Sequence, residues 1–593
     1  MNQADVLANN HGQSSNRLTR SFITSILIST ACFGPMAYAA TYEVQELSTS
    51  NLAINTFARA LDEQDNALVV AQDVYNLPID FGLIDFTNEN IITNLTDLAA
   101  AEAGNPNAAD YRYLIGLIRF GSSENSLNSQ HLALYQSYVN NGVDDMRVIG
   151  FDEQSPATDG FTFSAEVVAN DFLNSGTVVG SGEGVFSTLS ATFTADDDTQ
   201  TQIDYVINDF TRRGFVQMNG VTTGLVPSEA ALGGISEAYG INANLQVVGS
   251  SSTRMTSQLV ESIALCDDDE ERGELPVEVC YRNIALSGAL TSRLDRRATI
   301  WQLDSQGQVI STTTYPLPFT PAPVSEENLD TAFYNAAFAI NDAGIAVGET
   351  HTFYAERELK VSSAAIYQDD QTIEFINKDD YFPSTALDIN NNNWVIGTGN
   401  TSVNGTTRTK FYAYNIDTET LVFPDDFFPG SSSVARSIND NNIIVGEGEV
   451  EFENGSTRRK HAFMYDMNTE TFTNLNDLLS CNSPYTIVGA NAINNNDIIL
   501  ANALVNRQAR DAAGELAVDA DGEAIMIDQV IAVRLHPVSN GQVDDCSSVE
   551  DDTVNERQGA SVSIFSALFL GLMSIGRGVF WRRRQTFAQV KPL

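Results

Sequence analysis

From residue 240 onward the chain repeats one alternation: an apolar pair, a tight run of Asn, Asp, Ala or Gly, and a second apolar group closed by glycine. It runs through Ala339-Ile340-Asn341-Asp342-Ala343-Gly344-Ile345-Ala346-Val347-Gly348, then from Asp388 to Gly397 and from Ser437 to Gly446. Asn341, Asn390 and Asn439 thus stand 49 residues apart. The same pattern surrounds Asn242 and Asn494, and degenerate copies surround Asn170 and Asp62, which makes seven. Asn, Asp and Gly tolerate the left-handed backbone that tight turns demand, so each copy predicts a hairpin with these residues in its turn.

A second half follows most copies, an apolar strand carrying an aromatic residue before a short polar turn. Examples are His461-Ala462-Phe463-Met464-Tyr465, Phe411-Tyr412-Ala413-Tyr414, Ala364-Ala365-Ile366-Tyr367, Ala298-Thr299-Ile300-Trp301 and Gly214-Phe215-Val216. Two hairpins in about 49 residues make a four-stranded unit of propeller-blade size. Such a sheet cannot bury both faces alone, and radial stacking supplies the missing core. The pattern therefore predicts an all-β chain of tandem four-stranded repeats closing into a β-propeller of about seven blades over residues 40–541. Two insertions break the period. Residues 91–141 carry Ala- and Leu-rich stretches, among them Leu98–Ala103, Tyr111–Phe120 and His131–Tyr138, that predict short helices. Residues 251–296 hold a cysteine pair and predict an inserted loop. Insertions of this kind map to one face of a propeller, where specificity is usually placed.

Both ends read as targeting segments. Arg17 and Arg20 precede a mostly apolar run from Ser21 to Phe33, and Ala37-Tyr38-Ala39 supplies a small-x-small site, so residues 1–39 are expected to be a secretory signal peptide. At the other end an acidic linker, 542–559, leads to an apolar segment followed by Arg582-Arg583-Arg584, which predicts a membrane or sorting segment over 560–584 and a cytoplasmic tail over 585–593. With Gly559-Ala560-Ser561 ahead of the segment, this layout resembles bacterial sorting tails that are processed at a small-residue motif. An exported location follows: periplasm, outer surface or medium.

Charge changes the list of partners. Setting aside the seven basic and one acidic residues of the two ends leaves 25 basic against 76 acidic side chains. Such a field repels phosphate backbones and argues against nucleic acid. It serves solubility, and its more specific reading is divalent cation binding, with Ca²⁺ the candidate at Asp196-Asp197-Asp198 and Asp267-Asp268-Asp269-Glu270-Glu271. Neither cluster has the alternating spacing of a dedicated calcium loop. Four cysteines remain after the leader, an even count that suggests disulfides in an exported chain, and proximity favours pairing Cys266 with Cys280 and Cys481 with Cys546.

The intact tripeptide His461-Ala462-Phe463, with the Ile-Asn-Asp…Val-Gly half around Asn341, Asn390 and Asn439, resembles the bacterial extracellular repeats named for His-Ala-Phe. With its leader and tail the chain also looks like a gammaproteobacterial family of secreted proteins of unknown function. The resemblance implies a fold and a location and brings no catalytic residues.

Catalytic constellations are scarce. Gly180-Ser181-Gly182-Glu183-Gly184 sets its serine in the wrong place for a nucleophile elbow and lies on the closing end of a repeat. The five histidines are far apart in sequence. The expectation is a non-enzymatic binding or scaffold protein of the envelope, with a protein or glycan partner, membrane attachment through the C-terminal segment and no cofactor. The alternative is a propeller-type glycan-active hydrolase or lyase with paired carboxylates at the channel. The turn residues Asp62, Asn170, Asn242, Asn341, Asn390, Asn439 and Asn494 are expected to be structural.

Overall fold

The computed structural model describes residues 41–546, apart from 121–129, 159, 175, 195–198, 323–329, 355–358, 452–457, 520, 540 and 545. The expected leader and C-terminal segment lie outside the described residues. Among the described residues no helix is long and apolar enough to cross a membrane.

Seven four-stranded antiparallel sheets form the body, a seven-bladed β-propeller. In chain order the blades span 53–148, 167–225, 236–314, 335–374, 384–422, 433–474 and 486–538. The seventh blade takes its first three strands from Thr486–Ile493, Ile499–Gln508 and Met526–Val538, and its outermost from Thr41–Glu46. That N-terminal strand pairs with Met526–Val538 from Thr41↔Val538 to Glu46↔Val533, so one blade holds both ends of the ring. Cys481 and Cys546 are disulfide-bonded, with Cα atoms 5.4 Å apart, and pin the chain beyond this blade to the loop that enters it.

Between successive blades lies a layer of apolar side chains, and seven such layers close the ring. The aromatic strands supply their bulk: Phe215, Trp301, Tyr367, Tyr412 and Phe463 are all buried. Burying such a side chain contributes roughly 1.5–3 kcal/mol. The ring therefore owes more to these layers than to any single turn.

One local device recurs in all seven innermost strands. An alanine, namely Ala58, Ala169, Ala238, Ala337, Ala386, Ala435 or Ala490, precedes a one-residue bulge. In five blades the residue opposite that alanine is the repeat glycine: Gly180, Gly249, Gly348, Gly397 or Gly446. A Cβ on Gly348 would sit 1.9 Å from the Ala336 carbonyl oxygen, and one on Gly249 1.8 Å from that of Glu237. The Val-Gly signature is thus the footprint of a bulge pressed against its partner strand.

Two expectations need correction. His131–Tyr138 is not helical, because Tyr135–Asn140 is the third strand of blade 1 and pairs with Ala67–Val74. Its alternation was hidden by burial on both faces, with Gln136, Ser137, Tyr138, Val139 and Asn140 all buried. Asn170 is not a turn residue: it is the bulge of the strand Val167–Asn174. The turn lies beyond it, where Asn174 Oδ1 accepts from the Gly176 N–H at 2.9 Å. Aligned on the bulge alanine, Leu173 holds the place that asparagine holds elsewhere.

Candidate functional site

The hairpin turns meet at one mouth of the central channel. Asn242, Asn341, Asn390, Asn439 and Asn494 each donate through Nδ2 to the backbone carbonyl of the corresponding residue in the next blade: Asn341 (2.9 Å), Asn390 (3.4 Å), Asn439 (3.0 Å), Asn494 (3.0 Å) and Asp62 (3.0 Å). Each Oδ1 accepts from its own turn, as Asn390 does from Trp394 N at 2.9 Å. A second tier repeats one residue later. Asp342 N donates to Asn391 Oδ1, Asn391 N to Asp440 Oδ1, and Asp440 N to Asn495 Oδ1 at 2.8–3.0 Å, and Asn495 N donates to the Glu63 carboxyl at 3.2 Å. Asp62 differs in that its carboxylate only accepts, from Gln64 N, Asn66 N and Asn66 Nδ2. This mouth encloses about 280 Å³, and from blade 3 round to blade 1 its turns are bonded blade to blade.

Among the described residues no group of three or more His, Cys, Asp or Glu is placed to hold a metal ion. In the acidic run after Cys266, Asp268 caps the short helix Asp269–Arg272, and Arg272 pairs with Asp269. Asp196-Asp197-Asp198 lies outside the described residues. The four described histidines are dispersed: His131 accompanies blade 1, His351 blade 4, His461 blade 6 and His536 blade 7.

The opposite mouth is built differently. Blades 1, 2 and 3 each carry an insertion between their second and third strands, so all three emerge on the same face. Blade 1 inserts the helices Glu89–Ile92, Leu98–Glu102 and Ala108–Phe120, which bury a small core of their own around Ile91 and Leu114. Blade 2 inserts the hairpin Phe186–Thr194 and Gln200–Asn208, which the sequence pattern had not singled out. Blade 3 inserts four helices between Met255 and Leu294, with Cys266 of Ser257–Asp267 disulfide-bonded to Cys280 of Val277–Leu286. The strands on either side thus take both edges of the expected 251–296 loop. The three insertions meet at Phe186: His131 stacks on its ring at 3.9 Å between centroids, and the Arg282 guanidinium stands 5.8 Å from the ring centre.

Beneath them a cavity of about 310 Å³ opens between blades 2 and 3, lined by Glu166, Val168, Asn170, Ser181, Gly182, Glu183, Thr211, Arg212, Glu237 and Tyr239. Glu166 and Glu183 are neighbours across the start of blade 2: Glu183 N donates to Glu166 O at 3.1 Å and Glu166 N to Glu183 Oε2 at 3.4 Å. Burial, and then the charge of Glu166, push the Glu183 carboxyl up to about 7. Burial also raises Glu166. Glu237 is held by two arginines, Arg212 at 3.0 Å and Arg296 at 3.1 Å. The Ser181 hydroxyl oxygen is buried and has no hydrogen-bond partner. A Cβ on Gly182 would sit 2.9 Å from the Glu166 carbonyl oxygen, so a bare backbone is what allows the two strands to close here.

Sequence reasoning had weighed Ser181 only as a nucleophile and had not singled out Glu166. Seventeen residues separate the two glutamates, and only the pairing of Val167–Asn174 with Thr177–Gly182 sets them side by side. The repeat pattern carried no signal for either glutamate, because the position after Val-Gly that holds Glu349 and Glu447 in blades 4 and 6 is Ser181 in blade 2.

Fold and site together define a closed seven-bladed propeller with one turn-bonded mouth and one mouth roofed by insertions. The chain belongs to the family described as "Protein of unknown function (DUF3466)", whose model matches residues 22–584. No curated protein matches it. Among solved structures it is similar to the β-propeller domain of the Trilobed protease from Pyrococcus furiosus, at 9% identity and a TM-score of 0.35, over 84% of this chain and 99% of that one. An oligogalacturonate lyase in complex with manganese is similar at 8% identity and a TM-score of 0.28, over 66% and 99%. TolB from Acinetobacter baumannii is similar at 9% identity and a TM-score of 0.26, over 85% and 98%.

Proposed function

We propose that this chain is an exported binding or scaffold protein of the bacterial envelope, a propeller of the His-Ala-Phe repeat type that receives a protein or glycan partner on its insertion-bearing face. One observation carries the reading: three consecutive blades place unshared insertions at the same inter-strand position, and these converge at Phe186 above a polar cavity. The other mouth spends its polar groups on bonds between blades, which suits a structural role. Two disulfides accord with an oxidising compartment. Tethering by the C-terminal segment would hold the propeller on the exterior side of the membrane.

The test is to shorten the blade 3 insertion, residues 256–293, to a tight turn in the exported chain and compare partner capture and glycan-array binding with the intact protein. Loss of a defined partner with cooperative unfolding and the β-sheet dichroism of the propeller retained supports the reading, and undiminished binding overturns it. A glycan-active hydrolase or lyase is the second reading, favoured by the adjacent Glu166 and Glu183 carboxyls. Release of new reducing ends that disappears in Glu183→Gln would select it.

A further inference from the structure

The cavity between blades 2 and 3 holds an uncompleted set of acceptors. Glu166 and Glu183 present neighbouring carboxyls, and the Ser181 hydroxyl beside them is buried without a partner. Buried polar atoms are nearly always bonded, and an exception calls for a missing group. Three nearby arginines are committed to other carboxylates. Arg212 reaches Glu237 at 3.0 Å, Arg296 holds the other Glu237 oxygen, and Arg119 of Ala108–Phe120 pairs with Asp73 at 2.5 Å. Arg282 approaches Glu183 from the helix Val277–Leu286 and lies over Phe186. Arg212 and Arg282 both draw Glu183 downward, yet burial and Glu166 outweigh them. His131 is held toward its neutral form by burial, and Tyr239 is kept protonated by burial, so neither adds a charge at neutral pH. Near neutral pH the Glu183 carboxyl is therefore part-protonated, and a bound cation would displace that proton.

We propose that this cavity is a binding site for a primary ammonium group, which sets its three N–H donors on the Glu166 carboxylate, the Glu183 carboxylate and Ser181 Oγ. An ammonium has three donors and no acceptor, which matches two carboxylates and a hydroxyl oxygen whose own O–H can turn toward a carboxylate. Charge-assisted bonds of this kind are roughly twice as strong as neutral ones. A volume of about 310 Å³ accommodates an alkylammonium chain, at the lower end of the roughly 300–1,000 Å³ of small-molecule sites. A formal net charge of −45 draws cations toward the protein. Entry of the ammonium expels the proton on the pair, so binding and proton release are coupled. The proposal rests on the insertion-bearing face being the binding face and gives that face its ligand chemistry.

Titration calorimetry of the full exported chain with n-butylammonium chloride tests it, with tetramethylammonium chloride as the cation that lacks N–H donors. Saturable binding of n-butylammonium at pH 8 is expected, falling up to tenfold per pH unit below about 7, where proton and ammonium compete for Glu183. Glu183→Gln is expected to weaken binding by at least about tenfold, the equivalent of one 1.4 kcal/mol step. Ser181→Ala, which leaves both carboxyls in place, should weaken it by a smaller factor while keeping the pH dependence. Equal binding of tetramethylammonium, or no saturable binding at pH 8 by protein with an unchanged thermal midpoint, overturns the proposal. Cadaverine and Nα-acetyl-lysine amide separate the sources: tighter binding of the first points to a free polyamine and of the second to a partner's lysine, and each supports the site. A partner captured through the insertions with undiminished affinity for Glu183→Gln would keep the binding face and remove the ammonium from it.

Discussion

Replacing Asn390 divides the work of a turn asparagine into its two halves. Its Oδ1 accepts from Asn392 N at 3.1 Å and Trp394 N at 2.9 Å within the turn. Its Nδ2 donates to Asn439 O at 3.0 Å and Asn442 Oδ1 at 3.1 Å in the next blade. The residue is 4% exposed. Asn390→Ala removes all four bonds, and at about 1 kcal/mol net each, with part of the turn able to reach water, the expected loss is about 3–4 kcal/mol. Asn390→Asp keeps the turn bonds and turns the donor into an oxygen facing two oxygens, an expected loss of about 3 kcal/mol at pH 8. Acidification to pH 5 protonates that buried carboxyl, restores a donor toward Asn439 O and lowers the penalty to about 1–2 kcal/mol. Asp62→Asn is the control, because Asp62 only accepts and faces blade 2, where Leu173 stands in the asparagine position; it should cost less than about 1 kcal/mol. Urea unfolding at pH 5 and pH 8, followed by far-ultraviolet dichroism and tryptophan emission, reads all three. Asn390→Asp as stable as the parent at pH 8 would refute the cross-blade role and reduce the asparagine to a turn former.

Gly348→Ala drives a Cβ to 1.9 Å from the Ala336 carbonyl and is expected to cost more than about 3 kcal/mol, read as a lowered urea midpoint, whereas Gly405→Ala, with open space beside it, should lose only about 1 kcal/mol through its positive φ. Asp171 is raised to about 7 by burial and Asp388 to about 6. The folded state therefore keeps protons that the unfolded chain releases near 4, and stability is full below that and falls as pH rises through 6 to 7. The thermal midpoint should drop between pH 5 and pH 8, and Asp171→Asn with Asp388→Asn should flatten that slope. Replacing Cys481 and Cys546 together by serine opens a 65-residue loop and should cost about 2–4 kcal/mol. Hydrogen exchange would show the loss first in Thr41–Glu46, the strand that closes the ring.

What was legible in the sequence was whatever repeats. The asparagines at a 49-residue spacing, the Val-Gly ends and the aromatic strands are each fixed by their own hairpin, so period and residue type were enough to give an all-β propeller of seven blades. Proximity in the chain was also enough for the two cysteine pairs. The reading of blade 2 went astray at Asn170 because it followed Asn-Asp instead of the alanine four residues before the turn position, a small buried residue whose role appears only beside the bulge and the opposite glycine. Tyr135–Asn140 was missed because a strand buried on both faces loses the alternation that marks it.

Tertiary structure alone decided the rest. Which blade closes the ring depends on Thr41–Glu46 finding Met526–Val538 nearly five hundred residues away, and no local pattern encodes that partner. The asparagine side chains were expected to serve their own turns, and only the radial stacking of blades gives each amide a carbonyl in the next. Glu166, Ser181 and Glu183 acquire their chemistry from shared burial, and His131, Phe186 and Arg282 meet because three insertions rise from the same edge of adjacent blades. A repeat is written into the sequence because each copy must fold its own hairpin. A site formed between copies is written only into their packing.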